Sequence, residues 1–258
     1  MKDELVIFVG DIHAGSKTAL AKRFDLDDGD IYTPSLSQDW LYVNWQALTK
    51  KVKKLSSGYR VILCIGGDTV DNHHHNSQQV FGTDVDQINL VVSLLLPLAT
   101  MSDRVYGLRG TEAHTHQSGQ YDVKVIEELG GECEYRYRLD VGGKLLDWAH
   151  HVNIGRRAHT RGNSLKALGK DIYITALEAG ERVPNLVMRH HVHLYDDISD
   201  HRIGVRTVTC PGWQLHTAFT RRIDPAGLPS VGGLLWYPRL SVVDAVIYKV
   251  ADDPIRKV

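Results

Sequence analysis

The sequence has few cysteines, little net charge and no long apolar segment. Its three cysteines, Cys64, Cys133 and Cys210, are far apart in the 258-residue chain and odd in number. This pattern excludes a disulfide framework or a zinc knuckle and predicts a reducing, cytoplasmic setting. The formal net charge of −1 gives the chain no global basic character, although a local basic face for nucleic acid stays open.

Membrane-entering segments are also missing from the sequence pattern. The N-terminal residues pass directly into a strand-like run, with no apolar signal core and no small-residue cleavage site. We therefore expect no export signal. The longest apolar run, residues 90–99, is short and contains Pro97, so we expect no membrane-spanning segment and no membrane partner.

The first half of the chain alternates between strand and helix patterns. Short apolar runs predict strands buried on both faces at residues 5–9, 61–65 and 104–108. Apolar residues at helical spacing predict helices at residues 39–55, 84–101 and 120–129. This alternation indicates an α/β fold whose first half is a largely parallel βαβαβ arrangement.

The second half has a less regular pattern. Two strands of a hairpin are predicted at residues 135–141 and 144–149. A helix is predicted at residues 164–179. Further strands are predicted at residues 185–188, 203–209 and 240–248. Residues 211–239 are rich in Gly, Pro, Trp and Arg, and we expect an irregular loop region there. We expect residues 1–258 to form one domain.

Histidine is abundant, with 14 residues, and many of the histidines and aspartates follow predicted strands directly. In chain order this set is Asp11, His13, Asp68, Asp71, His114, His150, His191 and His193. Because ligands bind at the carboxyl ends of parallel strands, we expect these side chains to meet at one edge of the sheet. Imidazole and carboxylate donors together suit Mn, Fe, Zn or Ni rather than Ca.

The ordered set resembles the signature of the calcineurin-like metallophosphoesterases. That signature is Asp-x-His, Gly-Asp-x-x-Asp, a glycine-led turn with histidine, a single histidine and His-x-His, and the resemblance covers about residues 5–195. It implies a four-layer αββα sandwich. Gly-Thr-Glu-Ala-His at residues 110–114, with Thr-Arg-Gly-Asn at 160–163, resembles the phage and prophage branch of this family.

The resemblance implies two divalent metal ions, with manganese as the first choice and Fe, Zn or Ni as alternatives. It implies that the metal ligands are Asp11, His13, Asp68, His150, His191 and His193. Asp11, His13, Asp68 and His193 would hold the first ion. Asp68 would also contact the second ion and so be shared by the two. Two such ions clamp the attacking and leaving oxygens of an in-line displacement, and a hydroxide that bridges them would be the nucleophile.

Three further residues are expected to assist the reaction without binding the metal ions. His114 is expected near the leaving-group oxygen as a proton donor, which makes it a catalytic residue together with Asp68. Asp71 is expected to orient a ligand histidine. Arg161 opens the predicted helix after the fourth strand end, and we expect it to contact the substrate phosphate, because a helix N-terminus favours anions.

The sequence departs from the family pattern in its third motif, where Gly-Asn-His would supply an asparagine to the second metal. Glu112 is the stronger oxygen donor and is our choice for the replacement, whereas Thr111 follows the glycine directly, as the asparagine would. Either His150 or His151 can be the ligand after its strand, and we choose His150 as the first. His190 stands where the family usually has glycine, and we expect a neighbour of the site there.

These expectations define an enzyme that hydrolyses a phosphate monoester or diester, with a nucleotide-type substrate. The sequence does not choose between monoester and diester, and it leaves the oligomeric state open. One alternative is a DNA or RNA nuclease with the same dinuclear site, against which the near-neutral net charge argues mildly. The other is a non-catalytic scaffold of the same fold, which the nearly full ligand set disfavours.

Overall fold

The computed structural model describes residues 2–73, 79–81, 83–115, 120–153, 158–223 and 227–251. The first strands are β1 (Glu4–Val9), β2 (Phe24–Asp25), β3 (Ile31–Tyr32), β4 (Arg60–Ile65), β5 (Arg104–Leu108) and β6 (Glu132–Glu134). The later strands are β7 (Arg136–Val141), β8 (Lys144–Ala149), β9 (Leu186–Arg189), β10 (Asp196–Asp200), β11 (Val205–Thr209), β12 (Val231–Tyr237) and β13 (Val242–Tyr248). The helices are α1 (Leu36–Ser56), α2 (Asp84–Thr100), α3 (Glu112–Thr115), α4 (Gln120–Glu128), α5 (Ala158–Glu178) and α6 (Ala218–Ile223).

Two mixed sheets carry the fold. In the larger sheet the strands lie in the order β13-β12-β1-β4-β5-β6, and in the smaller one the order is β10-β11-β9-β8-β7. β1, β4, β5 and β6 are parallel to one another, as are β8, β9 and β11. The parallel βαβαβ first half is therefore confirmed.

Side chains of β1 alternate between two hydrophobic cores, which explains why this strand is apolar along its whole length. Ile7 and Val9 belong to the core that also contains buried residues of α1, α2 and α4. Val6 and Phe8 belong to a second core, which lies between the two sheets and includes Trp148 of β8. Because α5 packs against β10 and β11 of the smaller sheet, the layers run helix, sheet, sheet, helix. The expected αββα sandwich is confirmed.

Helix α1 illustrates how local sequence sets an element. Ser35 accepts a hydrogen bond from the backbone of Gln38, whose side chain accepts one from the Ser35 backbone, so a capping box starts the helix. Such a cap contributes about 1 kcal/mol. Leu41, Trp45 and Leu48 follow at helical spacing and are buried, which fixes the face that packs on the sheet.

Part of the expected irregular region is regular, so that prediction is wrong in part. Residues 211–239 contain α6 and also β12, which pairs with β1 inside the larger sheet. Two glycines hide this strand from a sequence pattern. A Cβ on Gly232 would lie 1.9 Å from the carbonyl oxygen of Val246, so the close approach of β13 requires glycine there.

One smaller difference concerns the start of helix α5. The helix predicted at residues 164–179 is α5, which begins earlier, at Ala158, so the motif at 160–163 lies inside its first turns. The three cysteines are free, as expected. Over the ranges described, none of the helices has the length and apolar character needed to span a membrane.

Candidate metal centre

The predicted donor residues meet where the parallel strands of both sheets end. The backbone N–H of Asp11, after β1, donates to the carbonyl of Gly67, after β4, at 3.0 Å. The backbone N–H of Thr111, after β5, donates to the Asp68 carboxylate at 2.6 Å. The backbone N–H of His190, after β9, donates to the carbonyl of His150, after β8, at 2.9 Å. The backbone N–H of His191, also after β9, donates to Asp11 Oδ1 at 3.1 Å and connects the two sheets, so five strand ends meet in one site.

The backbone of these loops is held in an unusual conformation. Left-handed φ values of 47–74° occur at five donor residues, namely Asp11, His13, Asp68, His191 and His193. Non-glycine residues pay about 1 kcal/mol or more for this conformation, and such strain clusters at functional sites. The conformation turns each side chain sharply after its strand.

Asp11, His13 and His193 form what we call the inner group. Their donor atoms all lie within 4.8 Å of one another. The His13 and His193 Nε2 atoms are 3.1 Å apart, and His193 Nε2 lies 3.5 Å from Asp11 Oδ1. Asp11 and His13 are buried, whereas His193 is half-buried.

His150, His151 and His191 form the outer group, whose donor atoms also lie within 4.8 Å of one another. His150 is buried, but His151 and His191 are exposed to solvent. The His150 ring is fixed by its Nδ1 atom, which contacts the carbonyl oxygen of Gly66 at 2.6 Å. Both histidines at 150 and 151 are therefore at the site, and the buried His150 is the better held of the two.

Asp68 lies between the two groups. Its Oδ2 atom is 3.1 Å from His150 Nε2 in the outer group and 4.0 Å from His13 Nε2 in the inner group. The carboxylate also accepts hydrogen bonds from the backbone and hydroxyl of Thr111. Asp68 therefore contacts both groups.

The choice between Thr111 and Glu112 is informed by their positions. The Thr111 hydroxyl lies 3.2 Å from His191 Nδ1 and 3.4 Å from His150 Nε2, in the middle of the outer group. Glu112 is exposed at the start of α3, and no cluster of possible metal donors found among the described residues includes it. The geometry favours Thr111 and does not support our choice of Glu112, because the helix start at residue 112 leaves that side chain in solvent.

Asp71 and His114 lie beside the inner group. Asp71 Oδ1 is 3.1 Å from His13 Nδ1 and 3.3 Å from His114 Nδ1, so one carboxylate contacts both imidazoles. The side-chain amide of Gln79 donates to the other Asp71 oxygen at 2.5 Å. The His114 ring meets the His13 ring edge-on, with centroids 4.4 Å apart.

Opposing charges dominate the electrostatics of the site. Burial alone would raise the pKa of Asp68, but the His150 imidazole outweighs it and holds that pKa well below its usual range. Burial is likewise outweighed at Asp11 by its histidine neighbours, so its pKa is also well below normal. In turn, Asp68 overcomes burial at His150 and raises the pKa of that imidazole to about 10. The two carboxylates therefore stay ionised and favour positive charge on the groups around them.

The remaining histidines fall into two kinds. Burial, with the nearby His150, lowers the pKa of His191 to about 4, which keeps it in the neutral form that binds metals. Burial and the neighbouring His114 lower the pKa of His13. Burial alone would also lower the pKa of His114, but the carboxylates of Asp71 and Asp68 outweigh burial and raise that pKa. His114 therefore retains its proton to higher pH.

The donors fit divalent metal ions. In the part of the chain that the structure describes, the buried carboxylates of Asp11 and Asp68 pair with histidines and not with lysine or arginine. Without a metal ion, protonated imidazole is the partner of the buried negative charge, as the raised pKa of His150 indicates. A metal cation bound between these side chains would replace that proton. The mixture of imidazoles and carboxylates suits Mn, Fe, Zn or Ni.

Asp122 of α4 is a site residue that sequence reasoning missed. Its buried Oδ1 accepts from the backbone and hydroxyl of Thr69, at 3.0 and 2.7 Å, and its Oδ2 accepts from the backbone of Gly110 at 2.7 Å. It thus ties the loop that carries Asp68 to the loop that carries Thr111. Burial, and then Asp68, raise its pKa to about 6. An acidic residue on the same helix face as buried Val125 and Ile126 was the available signal.

Arg161 lies within α5, but its side chain is outside the described part of the structure.

Comparisons with known proteins give a fold likeness only. No family model matches the chain, and no curated protein matches it either. Among solved structures, an archaeal phosphodiesterase is similar at 8% identity and a TM-score of 0.46, over 95% of this chain and 99% of that one. Vps29 from Entamoeba histolytica complexed with Zn²⁺ is similar at 9% identity and a TM-score of 0.45, over 95% and 98% of the two chains. A predicted phosphoesterase of Streptococcus pneumoniae shows 6% identity and a TM-score of 0.37, over 96% and 99%. Values this low assign no activity, so function rests on the residues of the site.

Proposed function

We propose that the chain is a calcineurin-like two-metal phosphoesterase that hydrolyses a phosphate monoester or diester. The observation that carries the proposal is the position of Asp68, whose Oδ2 atom lies between His13 and His150 and therefore between the inner and outer groups. A carboxylate in contact with both groups is placed to be shared by two ions. The resemblance to the phage and prophage branch rests on residues 110–114 and 160–163.

Each ion has its own set of proposed ligands. The inner group with Asp68 would hold one ion, and His150 and His191 with Asp68 would hold the other. Thr111 and His151 lie close enough to add a donor to the second set. Manganese is our first choice, followed by Fe, Zn or Ni. When bound, two such ions would supply positive charge to the phosphoryl oxygens and lower the pKa of a water molecule.

The protein's own groups would orient the reactants and move a proton. The raised pKa of His114 favours its protonated form, which is the form that donates to a leaving-group oxygen. Asp71 contacts His114 and His13 together, so it would orient the proton donor and an inner ligand as one unit.

A nucleotide-type substrate suits the open side of the site. A cleft of about 520 Å³ adjoins the exposed His151 and is lined also by Val152, Asn153, Leu168 and Asp171. This volume is in the range of small-molecule binding clefts. We propose that the leaving group occupies it and that Arg161, early in α5, contacts the phosphate.

The test is hydrolysis of an aryl phosphate and a bis-aryl phosphate by purified protein with Mn²⁺, alongside metal analysis. We expect about two ions per chain, and we expect Asp68→Asn to lower the rate on the order of 10²–10³-fold or more, because a shared charge is removed. Glu112→Gln is the matched control, since it removes an exposed carboxylate close to the site. A wild-type protein that binds two ions but hydrolyses neither these esters nor nucleotides, cyclic nucleotides or oligonucleotides would contradict the proposal. Preferential cleavage of oligonucleotides would point to the nuclease instead.

A further inference from the structure

His190 is a fully buried imidazole directly behind the inner group. Its Nε2 atom lies 3.1 Å from the indole Nε1 of Trp148, which belongs to the core between the sheets. Its Nδ1 atom lies 3.5 Å from Asp11 Oδ2. The three side chains form a continuous line from the hydrophobic core to the inner group.

The indole determines where the proton of His190 lies. Trp148 can only donate at Nε1, so His190 Nε2 must accept and carries no proton. In the neutral ring the proton is then on Nδ1, which faces the Asp11 carboxylate. His190 therefore presents an N–H group to Asp11.

Both oxygens of Asp11 lie near the backbone N–H of His191, which is 3.1 Å from Oδ1 and 3.4 Å from Oδ2. The imidazole neighbours of the two oxygens differ. Oδ1 lies 3.5 Å from His193 Nε2, on the side of the inner group, and Oδ2 lies 3.5 Å from His190. The buried Nδ1 atom of His190 has no other hydrogen-bond partner among the described residues. We propose that His190, oriented by Trp148, is a positioning residue whose N–H would restrain Asp11 Oδ2, so that Oδ1 would be available to an ion held by the inner group. This inference rests on the proposed function, because it assigns Asp11 as a metal ligand.

Gly66 shows that the chain makes room for this imidazole. A Cβ on Gly66 would lie 2.0 Å from His190 Nδ1, so glycine at 66 and histidine at 190 depend on each other. Side chains that orient a ligating carboxylate increase the affinity of the site for its metal ion.

The proton position is tested first, on metal-free protein with isotope-labelled histidine. We expect the ¹⁵N NMR spectrum to show a protonated Nδ1 and an unprotonated Nε2 for His190, and Trp148→Phe to weaken this preference. A protonated Nε2 in the wild type would overturn the proposal. This measurement needs no bound metal and no activity, so it stands even if the proposed phosphoesterase function fails.

Calorimetric titration with Mn²⁺ tests the consequence. His190→Leu keeps an apolar side chain of similar reach but has no N–H, whereas His190→Asn retains an N–H near the position of Nδ1. We expect His190→Leu to weaken one of the two binding steps about 10–100-fold, and His190→Asn to recover most of that loss. Equal affinities in the wild type and His190→Leu, with both proteins folded by circular dichroism, would show that the imidazole only fills space. Wild-type protein that binds no metal would instead defeat the proposed function.

Discussion

The inner and outer groups use similar side chains in different surroundings. Asp11 and His13 are buried, and they contact a surrounding layer of polar side chains that includes Asp71 and His190. His151 and His191 are exposed, and the residue at the centre of their group is Thr111, a neutral hydroxyl. The inner group is therefore preorganised, and the outer group is open to solvent. We expect one ion to stay with the protein and the other to exchange.

Asp11→Asn removes a donor from the inner group. Among the tests that compare the inner and outer groups, it has the largest expected effect. The substitution keeps the shape of the side chain but removes a buried charge that a cation would neutralise. We expect metal content to fall from about two ions to one, and the rate of aryl phosphate hydrolysis to fall on the order of 10²–10³-fold. Elemental analysis and steady-state kinetics measure both. Two tightly bound ions in this variant would remove the distinction between the halves.

His114→Asn tests the proton donor beside the inner group. We expect a loss of about 10²-fold or more for an alkyl phosphate and a much smaller one for p-nitrophenyl phosphate, whose leaving group needs no proton. Because the pKa of His114 is raised, its protonated form persists to higher pH, and activity toward the alkyl ester should fall only as pH rises through that pKa. The variant should lack this fall. Equal losses for both esters would argue against proton donation.

Thr111→Val sharpens the comparison on the outer side. Valine keeps the shape but removes the hydroxyl that contacts Asp68 and the outer histidines. We expect the Mn²⁺ affinity of the weaker binding step to fall about tenfold, and Thr111→Asn, which supplies an amide oxygen as donor, to restore or increase it. Glu112→Gln should leave binding unchanged. The opposite order of effects would return the ligand role to Glu112.

Asp122→Asn has the smallest expected effect on activity, and its effect on stability depends on pH. Because burial raises the pKa of Asp122 from 3.8 to about 6, the folded protein binds a proton there that the unfolded chain releases. Between those values wild-type stability should fall as pH rises, relative to the variant, by on the order of 1–3 kcal/mol. Urea unfolding of metal-free protein at about pH 4 and about pH 7, near the lower end of this pH range and above its upper end, measures the difference in the free energy of unfolding. A difference that does not change with pH would mean that Asp122 is ionised throughout.

The sequence could predict those parts of the molecule in which burial leaves a repeating pattern. β1, β4 and β5 were visible because both faces of each strand are covered, which requires unbroken apolar runs. β12 was hidden because Gly232 is needed for close packing, and β10 because its sequence, Asp-Asp-Ile-Ser-Asp, is polar at the edge of the smaller sheet. Patterns of apolar residues do not detect strands of either kind.

The candidate site followed the same rule. Asp11, His13 and Asp68 stand at strand ends, so the fold alone predicts that they meet. Whether Thr111 or Glu112 faces the outer group depends on where α3 begins, which is a difference of one residue that no periodicity reveals. Asp122 was missed because it reaches the site from a helix in the adjoining layer.

The left-handed backbone at the five donor residues has a consequence for any selection that acts on this protein. Glycine adopts that conformation without the steric penalty, so replacing one of these donors by glycine would relieve strain of about 1 kcal/mol while deleting a ligand. If the proposed function holds, selection for heat resistance alone would therefore not protect these positions. Engineering the scaffold for robustness requires that Asp11, His13, Asp68, His191 and His193 be kept out of the mutated library, or that catalysis be screened in parallel.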